Sequence, residues 1–135
     1  MSEPGIGPCA ETCVYTGADE SPAEFADWVE RKARKAHRCV ECHDTIQPGQ
    51  TYEYVTGRWE GEFSSFKTCL VCVEIRKTFC CEGWVHALLW ADIAEQLFPT
   101  LTTGCLSKLT SAAAKEKLVS RWRRWRGLDE RRTEA

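Results

Sequence analysis

The chain has 135 residues, 43% of them hydrophobic, and a formal net charge of −2. A chain of this length usually forms one domain, and it has no apolar run near the roughly 18 residues of a membrane-spanning helix. The N-terminus lacks the basic head and apolar stretch of a signal peptide, so we expect a cytoplasmic protein whose thiols are kept reduced.

Charge is divided into blocks along the chain. Residues 1–30 contain acidic residues but no Lys or Arg, whereas residues 31–38, RKARKAHR, contain no acidic residue. A second basic block, RWRRWR, lies at 121–126. This segregation indicates either a macromolecular partner or pairing between the blocks within the chain.

The first predicted elements are a leader and a helix. Residues 1–20 are rich in Gly, Pro and Thr and predict an irregular acidic leader. Ser21-Pro-Ala-Glu24 then has the residues of a capping box, with Pro at the first helical position. The apolar residues that follow recur at helical spacing, which predicts a basic amphipathic helix within 21–38.

After this helix the pattern changes to strands and turns. Tyr52 and Tyr54 alternate with polar residues as in a strand, and residues 57–62 contain glycines that can reverse the chain. Phe63–Thr68 is predicted to return as the second strand of a hairpin. A short helical segment follows within 73–79.

Two further helices are predicted near the C-terminus. Residues 84–98 have a broad apolar face and are stopped by Pro99. A last helix is predicted over 111–126, with a Thr-Ser pair at its start and Gly127 at its end.

Two C-x-x-C pairs, at 39–42 and 69–72, lie on either side of the predicted hairpin. A two-residue spacing lets a tight turn aim both sulfurs at one point, and two such turns supply a closed tetrahedral zinc site. The second pair opens a helix, whose N-terminal dipole favours thiolate charge. Turn, hairpin and turn on a helix start is the treble-clef arrangement. We therefore predict one structural zinc ion bound by Cys39, Cys42, Cys69 and Cys72.

The stretch CVECH at 39–43 has other interpretations. Covalent haem attachment requires export machinery and leaves the second pair unused, and a redox dithiol normally follows a strand in a βαβ unit. An iron–sulfur cluster uses the same four thiolates, and spacing alone does not separate it from zinc. The remaining cysteines are either free buried thiols or part of a second metal site: Cys9, Cys13, Cys80, Cys81 and Cys105.

These elements predict an α+β fold in which residues 21–135 form one domain behind the leader. Its centre is a four-cysteine treble clef at 39–80. The basic N-terminal helix and a helical C-terminal part with two helices, 84–126, flank this centre and share a core with the Trp residues.

The sequence does not contain a recognisable catalytic site. A closed four-thiolate site has no open coordination position and cannot activate water, and H-E-x-x-H, zinc-deaminase and phosphate-loop motifs are missing. A thiol dyad of Cys80 or Cys81 with His86 rests on proximity in sequence alone. We therefore predict a protein that is not an enzyme and has no small-molecule substrate.

The basic blocks predict a surface for nucleic acid or for an acidic protein. Arg binds phosphates and Trp stacks on bases, although helical spacing turns the Trp rings of 121–126 mainly toward the core. The candidate contact residues are Arg31, Lys32, Arg34, Lys35, Arg121, Arg123, Arg124 and Arg126.

The cysteine pattern also carries a resemblance. Cys39-x2-Cys42-x3-Ile46-x-Pro-Gly49-x2-Tyr52, then Gly57-x-Trp59-x-Gly61 and Thr68-Cys69-x2-Cys72, resembles small treble-clef zinc proteins encoded by bacteriophages and prophages. The resemblance covers about residues 36–79. It implies a small accessory protein that binds a host macromolecule, for example to block a host enzyme or a defence complex such as a CRISPR effector; a host or self protein complex is the partner we expect first. Modulation of a protein partner is thus the first functional hypothesis, and DNA or RNA binding through the basic helices is the alternative.

Overall fold

A computed structural model of the chain describes residues 4–9, 13–15, 24–81, 83 and 85–134. Within these residues the fold is α+β, with two small antiparallel sheets and four helices. The strands are β1 (Phe25–Lys32), β2 (His37–Arg38), β3 (Thr45–Ile46), β4 (Thr51–Trp59) and β5 (Glu62–Cys69). The helices are α1 (Leu70–Phe79), α2 (Leu89–Gln96), α3 (Thr103–Leu106) and α4 (Ala112–Glu134), with a 3₁₀ turn at Phe98–Thr100.

The predicted hairpin is present as β4 and β5, at the centre and one edge of a three-stranded sheet in the order β1-β4-β5. Tyr52 lies opposite Cys69 and Trp59 opposite Glu62. The connecting residues, 60 and 61, both have positive φ angles, of 51° and 83°. That backbone matches the right-handed twist of the strands, and glycine adopts it without steric cost at the second position.

The helix predicted within 21–38 is wrong, because Phe25–Lys32 form β1. This strand pairs antiparallel with β4 along its whole length and satisfies the N–H and C=O groups that β4 would otherwise leave open. Aromatic and β-branched residues such as Trp28 and Val29 suit a strand as well as a helix, so long-range pairing decides between them. The capping-box residues 21–23 lie outside the described part of the chain.

The C-terminal helices differ from the prediction in their ends. The helix predicted over 84–98 begins only at Leu89 and ends at Gln96, ahead of the 3₁₀ turn that contains Pro99; residue 84 is outside the described residues. The last helix starts as predicted, with the Ser111 hydroxyl accepting a hydrogen bond from Ala114 N–H at 3.1 Å. It does not end at Gly127 but continues to residue 134.

The described part of the leader packs on the rest of the protein. Thr103 N–H donates to the Gly5 carbonyl at 2.8 Å, and Gly104 N–H donates to the Gly7 carbonyl at 2.9 Å. A Cβ atom on Gly104 would lie 2.5 Å from that carbonyl oxygen, so the close approach requires glycine. Val14 is buried, and its N–H donates to the Phe79 carbonyl.

Two disulfides join this segment to the C-terminal half: Cys9–Cys105 and Cys13–Cys81. The expectation that these four thiols are free or hold a second metal ion is therefore wrong. Among the described residues, Cys80 alone of the five additional cysteines is a free thiol, and it is buried. Four thiols that the sequence was expected to keep reduced are therefore paired in the structure, while the cytoplasmic location stays a prediction.

The hydrophobic core lies between α1, α2 and α4. Its fully buried residues include Ile75 and Phe79 of α1, Ile93 of α2 and Leu118 of α4. Trp122 is also buried, as the helical spacing of the 121–126 block predicted. None of the helices in the described ranges is long and apolar enough to cross a membrane.

Glu74 of α1 holds the start of α4. Its carboxylate accepts hydrogen bonds from the N–H groups of Thr110 and Ser111, at 2.7 and 3.0 Å, and from both hydroxyls. The bonds from Ser111 and then Thr110 lower the pKa of Glu74 to about 2. The carboxylate thereby caps a helix end, where N–H groups have no helical acceptor.

Replacing Glu74 by Ala is expected to destabilise the protein by about 1 kcal/mol at pH 7, as loss of a helix cap does. Because the folded-state pKa is depressed, this contribution is fully present above the ordinary carboxyl pKa of 4.5 and disappears as pH falls toward 2. Urea unfolding of the wild type and of Glu74→Ala between pH 7 and pH 2 measures the difference in their free energies of unfolding. Loss of metal ligation at acid pH affects both proteins and does not contribute to this difference. Glu116→Ala, an exposed change on α4, is the control. A difference that stays constant down to pH 2 would contradict the capping role.

Candidate metal centre and basic groove

Four cysteines from two separate turns meet at one point. The sulfur atoms of Cys39, Cys42, Cys69 and Cys72 lie within 4.8 Å of one another, and those of Cys42 and Cys69 are 3.9 Å apart. Three of the residues are buried and Cys69 is partly exposed. The structure thus brings together all four cysteines that were predicted as ligands from the two C-x-x-C pairs.

The first pair lies on the tight turn between β2 and β3. The Cys39 carbonyl accepts a hydrogen bond from His43 N–H at 3.0 Å, and Cys39 N–H donates to the Asp44 carbonyl at 3.0 Å. His43 has a φ of 65°, a left-handed conformation that allows the chain to double back after the second cysteine. Val40 N–H donates to the Lys67 carbonyl at 2.8 Å, which fixes this turn against β5.

The second pair lies where β5 changes into α1. Cys69 is the last residue of the strand and precedes the helix, and Cys72 lies in the first turn of α1. Cys69 N–H donates to the Cys39 sulfur at 3.4 Å. The N-terminal end of α1 therefore faces the sulfur cluster, where its partial positive charge stabilises thiolates.

The spacing of the sulfurs fits a tetrahedral ion. With Zn–S bonds of about 2.3 Å, the edges of a regular tetrahedron are about 3.8 Å long, close to the 3.9 Å between Cys42 and Cys69. Cys42 accepts hydrogen bonds from Cys39 and the other cluster thiols, which lowers its pKa, whereas Cys72 acts as a donor to them, which raises its pKa. Four thiols this close cannot all ionise unless a cation compensates them, and supplying that cation is the chemistry of a metal site.

Helix α4 contributes two cations to the same place, and neither was identified as part of it from sequence. Lys117 Nζ lies 3.1 Å from the Cys42 sulfur and 2.7 Å from Asp44 Oδ2. Burial alone would lower the pKa of Lys117, but these two partners outweigh it and raise the pKa. Arg121 Nη2 donates to the Cys42 carbonyl at 2.6 Å. The turn that carries Cys42 is thus tied to α4 by contacts that span 73 to 79 residues of the chain.

Glu41, between the first two cysteines, is buried and connects this turn to α2. Its carboxylate accepts hydrogen bonds from Ala87 N–H at 3.0 Å and from Leu89 N–H at 3.1 Å. Burial raises the pKa of Glu41, and these two bonds partly offset that effect. A carboxylate at the first turn of α2 explains why the helix begins at Leu89.

The structure bears on the thiol dyad considered above, in which Cys80 or Cys81 would act with His86. Cys81 is bonded to Cys13, and burial raises the pKa of Cys80 to about 11. His86 stacks on the Phe66 ring, with centroids 4.2 Å apart, and burial lowers its pKa to about 4. A nucleophilic thiol needs a lowered pKa, and Cys80 has the opposite environment.

The first basic block lines an open groove beside the sheet rather than a helix. The residues around the groove are Arg31, Lys32, Ala33, Arg34, Lys35, His37, Tyr52, Tyr54 and Lys67. This lining contains no acidic side chain. The Arg31 guanidinium lies 4.1 Å, and the Lys67 ammonium 5.4 Å, from the centroid of the Tyr54 ring. Partial burial, with the charges of Lys67 and Lys35, lowers the pKa of His37.

The arginines of the second basic block point in several directions. Arg121 binds the Cys42 carbonyl and lies 4.8 Å from the centre of the Trp90 ring, so it acts within the fold. Arg126 lies over Trp122 at 5.2 Å. Arg123 and Arg124 are exposed. Lys67 of β5 also lines the groove. It was not predicted as a contact residue, because it lies on a different strand and outside both basic blocks.

Comparison with known proteins gave no matching family model, no matching curated protein and no matching solved structure.

Proposed function

We propose that this protein is a zinc-stabilised, non-catalytic binding protein that recognises nucleic acid. One structural zinc ion is bound by Cys39, Cys42, Cys69 and Cys72. The order of turn, hairpin and helix around these residues supports a treble clef. A four-thiolate zinc site is closed, so the ion organises the fold and does not activate a substrate.

The observation that carries the binding function is the acid-free groove. Its cationic residues are Arg31, Lys32, Arg34, Lys35 and Lys67. Such a local concentration of positive charge matches a phosphate backbone, which releases counterions when it binds. The net charge of −2 does not oppose this, because exposed charges act over a Debye length of about 8 to 10 Å.

The groove continues toward the zinc turn. His37 and Lys67 line it and also line a neighbouring depression that contains Arg38 and His43. The cationic surface therefore extends from the end of β1 to the turn that carries Cys39. Zinc binding would hold this surface in shape, because the turn contributes part of it.

The test is the salt dependence of binding to a labelled 20-nucleotide DNA, single-stranded and as a duplex, measured by fluorescence anisotropy. Each phosphate contact contributes about 0.7 to 0.9 to the slope of log affinity against log salt. The double variant Arg34→Ala/Lys35→Ala is expected to lower the size of that slope by about 1.4 to 1.8. Both side chains are exposed, so the fold should persist.

The matched control is Arg123→Ala/Arg124→Ala, which removes the same charge from exposed positions on α4. We expect its slope to equal that of the wild type. A groove variant with the wild-type slope would place binding outside the groove, and an equal loss in both variants would show that binding is not confined to it. Absence of measurable affinity for either DNA would refute the proposed function.

A protein partner is the second candidate, and the outer edge of β1 favours it. This strand pairs with β4 alone among the described strands, and all eight of its residues are exposed, Trp28 by 66%. Open strand edges accept a strand from another chain. The resemblance to phage accessory proteins points the same way, toward an inhibitor of a host enzyme or defence complex. If the wild-type protein captures a host protein even after nuclease treatment, and the Trp28→Ser variant does not, the result would favour this candidate.

A further inference from the structure

One face of the three-stranded sheet carries aromatic residues in two separate rows. Residues that lie opposite each other in antiparallel strands have side chains on the same face. The register therefore defines the two rows as Phe25–Arg58–Phe63 and Val29–Tyr54–Lys67.

The first row presents two aromatic rings to solvent. Phe63 is 72% exposed and Phe25 is 49% exposed, with ring centroids 5.7 Å apart. A shallow depression beside them is lined by Thr56, Ser64 and Ser65. The two rings form a contiguous exposed apolar surface, and contiguous apolar surface indicates an interaction site more strongly than single exposed residues do.

The second row combines an aromatic ring with cations. Tyr54 has Arg31 and Lys67 near its ring, and all three belong to the acid-free groove. The groove and the exposed rings are thus two parts of one continuous sheet face. Cations beside an aromatic surface are what a single strand requires, since its phosphates and its bases must both be bound.

The distance between the rows favours a single strand over a duplex. Tyr54 and Arg58 are four residues apart on β4, which is about 13 Å along a strand. Bases can reach two aromatic sites this far apart only when they turn outward, and paired bases inside a duplex cannot do so.

The row between the platforms is polar and contains one carboxylate. Asp27 lies opposite Thr56, which lies opposite Ser65. A carboxylate here repels phosphates and accepts hydrogen bonds from base donors, which include the N3–H of thymine and uracil. A strand bound to this face would therefore keep its phosphates away from Asp27, on the cationic side, and turn its bases toward the sheet.

We infer that this face binds single-stranded nucleic acid, with bases stacked on Tyr54 and on the Phe25–Phe63 pair and phosphates paired with Arg31 and Lys67. A base that stacks on Tyr54 displaces the Arg31 guanidinium from the ring and frees it for a phosphate. The inference rests on the proposed nucleic-acid function and adds the form of the strand and its path.

The test uses a fluorescein-labelled deoxythymidine 12-mer, a uridine 12-mer and the duplex of the first with deoxyadenosine. The single strands are expected to bind more tightly than the duplex, and the two 12-mers distinguish DNA from RNA. Phe63→Ala and Tyr54→Ala are each expected to weaken single-strand binding about 5- to 150-fold, the range for loss of one stacked base. Tyr54→Phe keeps the ring and should keep the affinity.

The matched control is Trp28→Ala, an exposed aromatic on the opposite face of the same sheet, which should leave binding unchanged. Phe63 is so exposed that its variant tests the inference even if Tyr54→Ala weakens the fold. A duplex that binds as tightly as the single strands would overturn the inference and leave the proposed function standing. A Phe63→Ala variant with wild-type affinity would also overturn the inference and leave the proposed function standing. Failure of all three probes to bind would overturn both.

Discussion

Replacing Cys72 by Ser is expected to abolish stoichiometric zinc binding and to unfold residues 39–80. Structural zinc contributes about 10 to 16 kcal/mol to the folding of zinc-finger peptides at neutral pH, and a hydroxyl does not replace a thiolate in a closed tetrahedral site. The Cys72 side chain is fully buried, so the serine also buries a polar group without the ion. Elemental analysis and near-UV circular dichroism measure the two losses.

The control for this change is Cys80→Ala, which removes another buried free thiol of the same helical region. It should keep one zinc per chain and cost about 1 kcal/mol, as most single substitutions do. Chelation of the wild-type protein should reproduce the Cys72→Ser spectrum, and added zinc should reverse it. A Cys72→Ser protein with one bound zinc and an unchanged spectrum would contradict the site.

The loss should spread beyond the turn that carries Cys39 and Cys42, because α4 is attached to this turn. Lys117 and Arg121 bind the Cys42 sulfur and carbonyl, and Glu41 holds the start of α2. When the turn loses its shape, both helices lose a polar anchor. We therefore expect the melting of α2 and α4 to shift with metal content rather than to stay independent of it.

Local patterns in the sequence predicted the parts of this fold that depend on neighbouring residues. The C-x-x-C spacing places two sulfurs on one turn whatever the rest of the chain does, and the glycines near residue 60 predict the reversal between β4 and β5. The start of α4 was predicted for the same reason, since Ser111 caps the helix with its own side chain. The four clustered thiols follow from these local elements together.

What the sequence did not predict depends on distant residues. The capping-box pattern at 21–24 outweighed the strand character of Phe25–Lys32, because the partner strand β4 begins only at residue 51. The contact of Lys117 with Cys42 spans 75 residues, and no spacing rule reveals it. The basic groove also depends on distant residues. Arg31 on β1 and Lys67 on β5 come together only once both of these strands have paired with β4.

Replacing Glu53 by Leu is expected to cost about 3 to 5 kcal/mol, the usual effect of leaving one buried charge without its partner. Arg76 of α1 is fully buried, and its Nη2 lies 3.0 and 2.8 Å from the two carboxylate oxygens of Glu53 on β4. This pair joins the hairpin to α1. Urea unfolding of zinc-loaded protein measures the change.

The double variant Glu53→Leu/Arg76→Met should recover most of that loss, because two apolar side chains remove both desolvation penalties together. The matched control is the exposed pair of Arg58 on β4 and Glu24, the residue before β1, with Nε and Oε2 3.1 Å apart. Arg58→Met should cost about 1 kcal/mol or less, since exposed ion pairs are weak. If Glu53→Leu were as mild as Arg58→Met, the buried charge of Arg76 would have to be compensated elsewhere. If the double variant were as unstable as the single one, the pair would stabilise the hairpin on α1 by its own attraction and geometry, not merely by cancelling two buried charges.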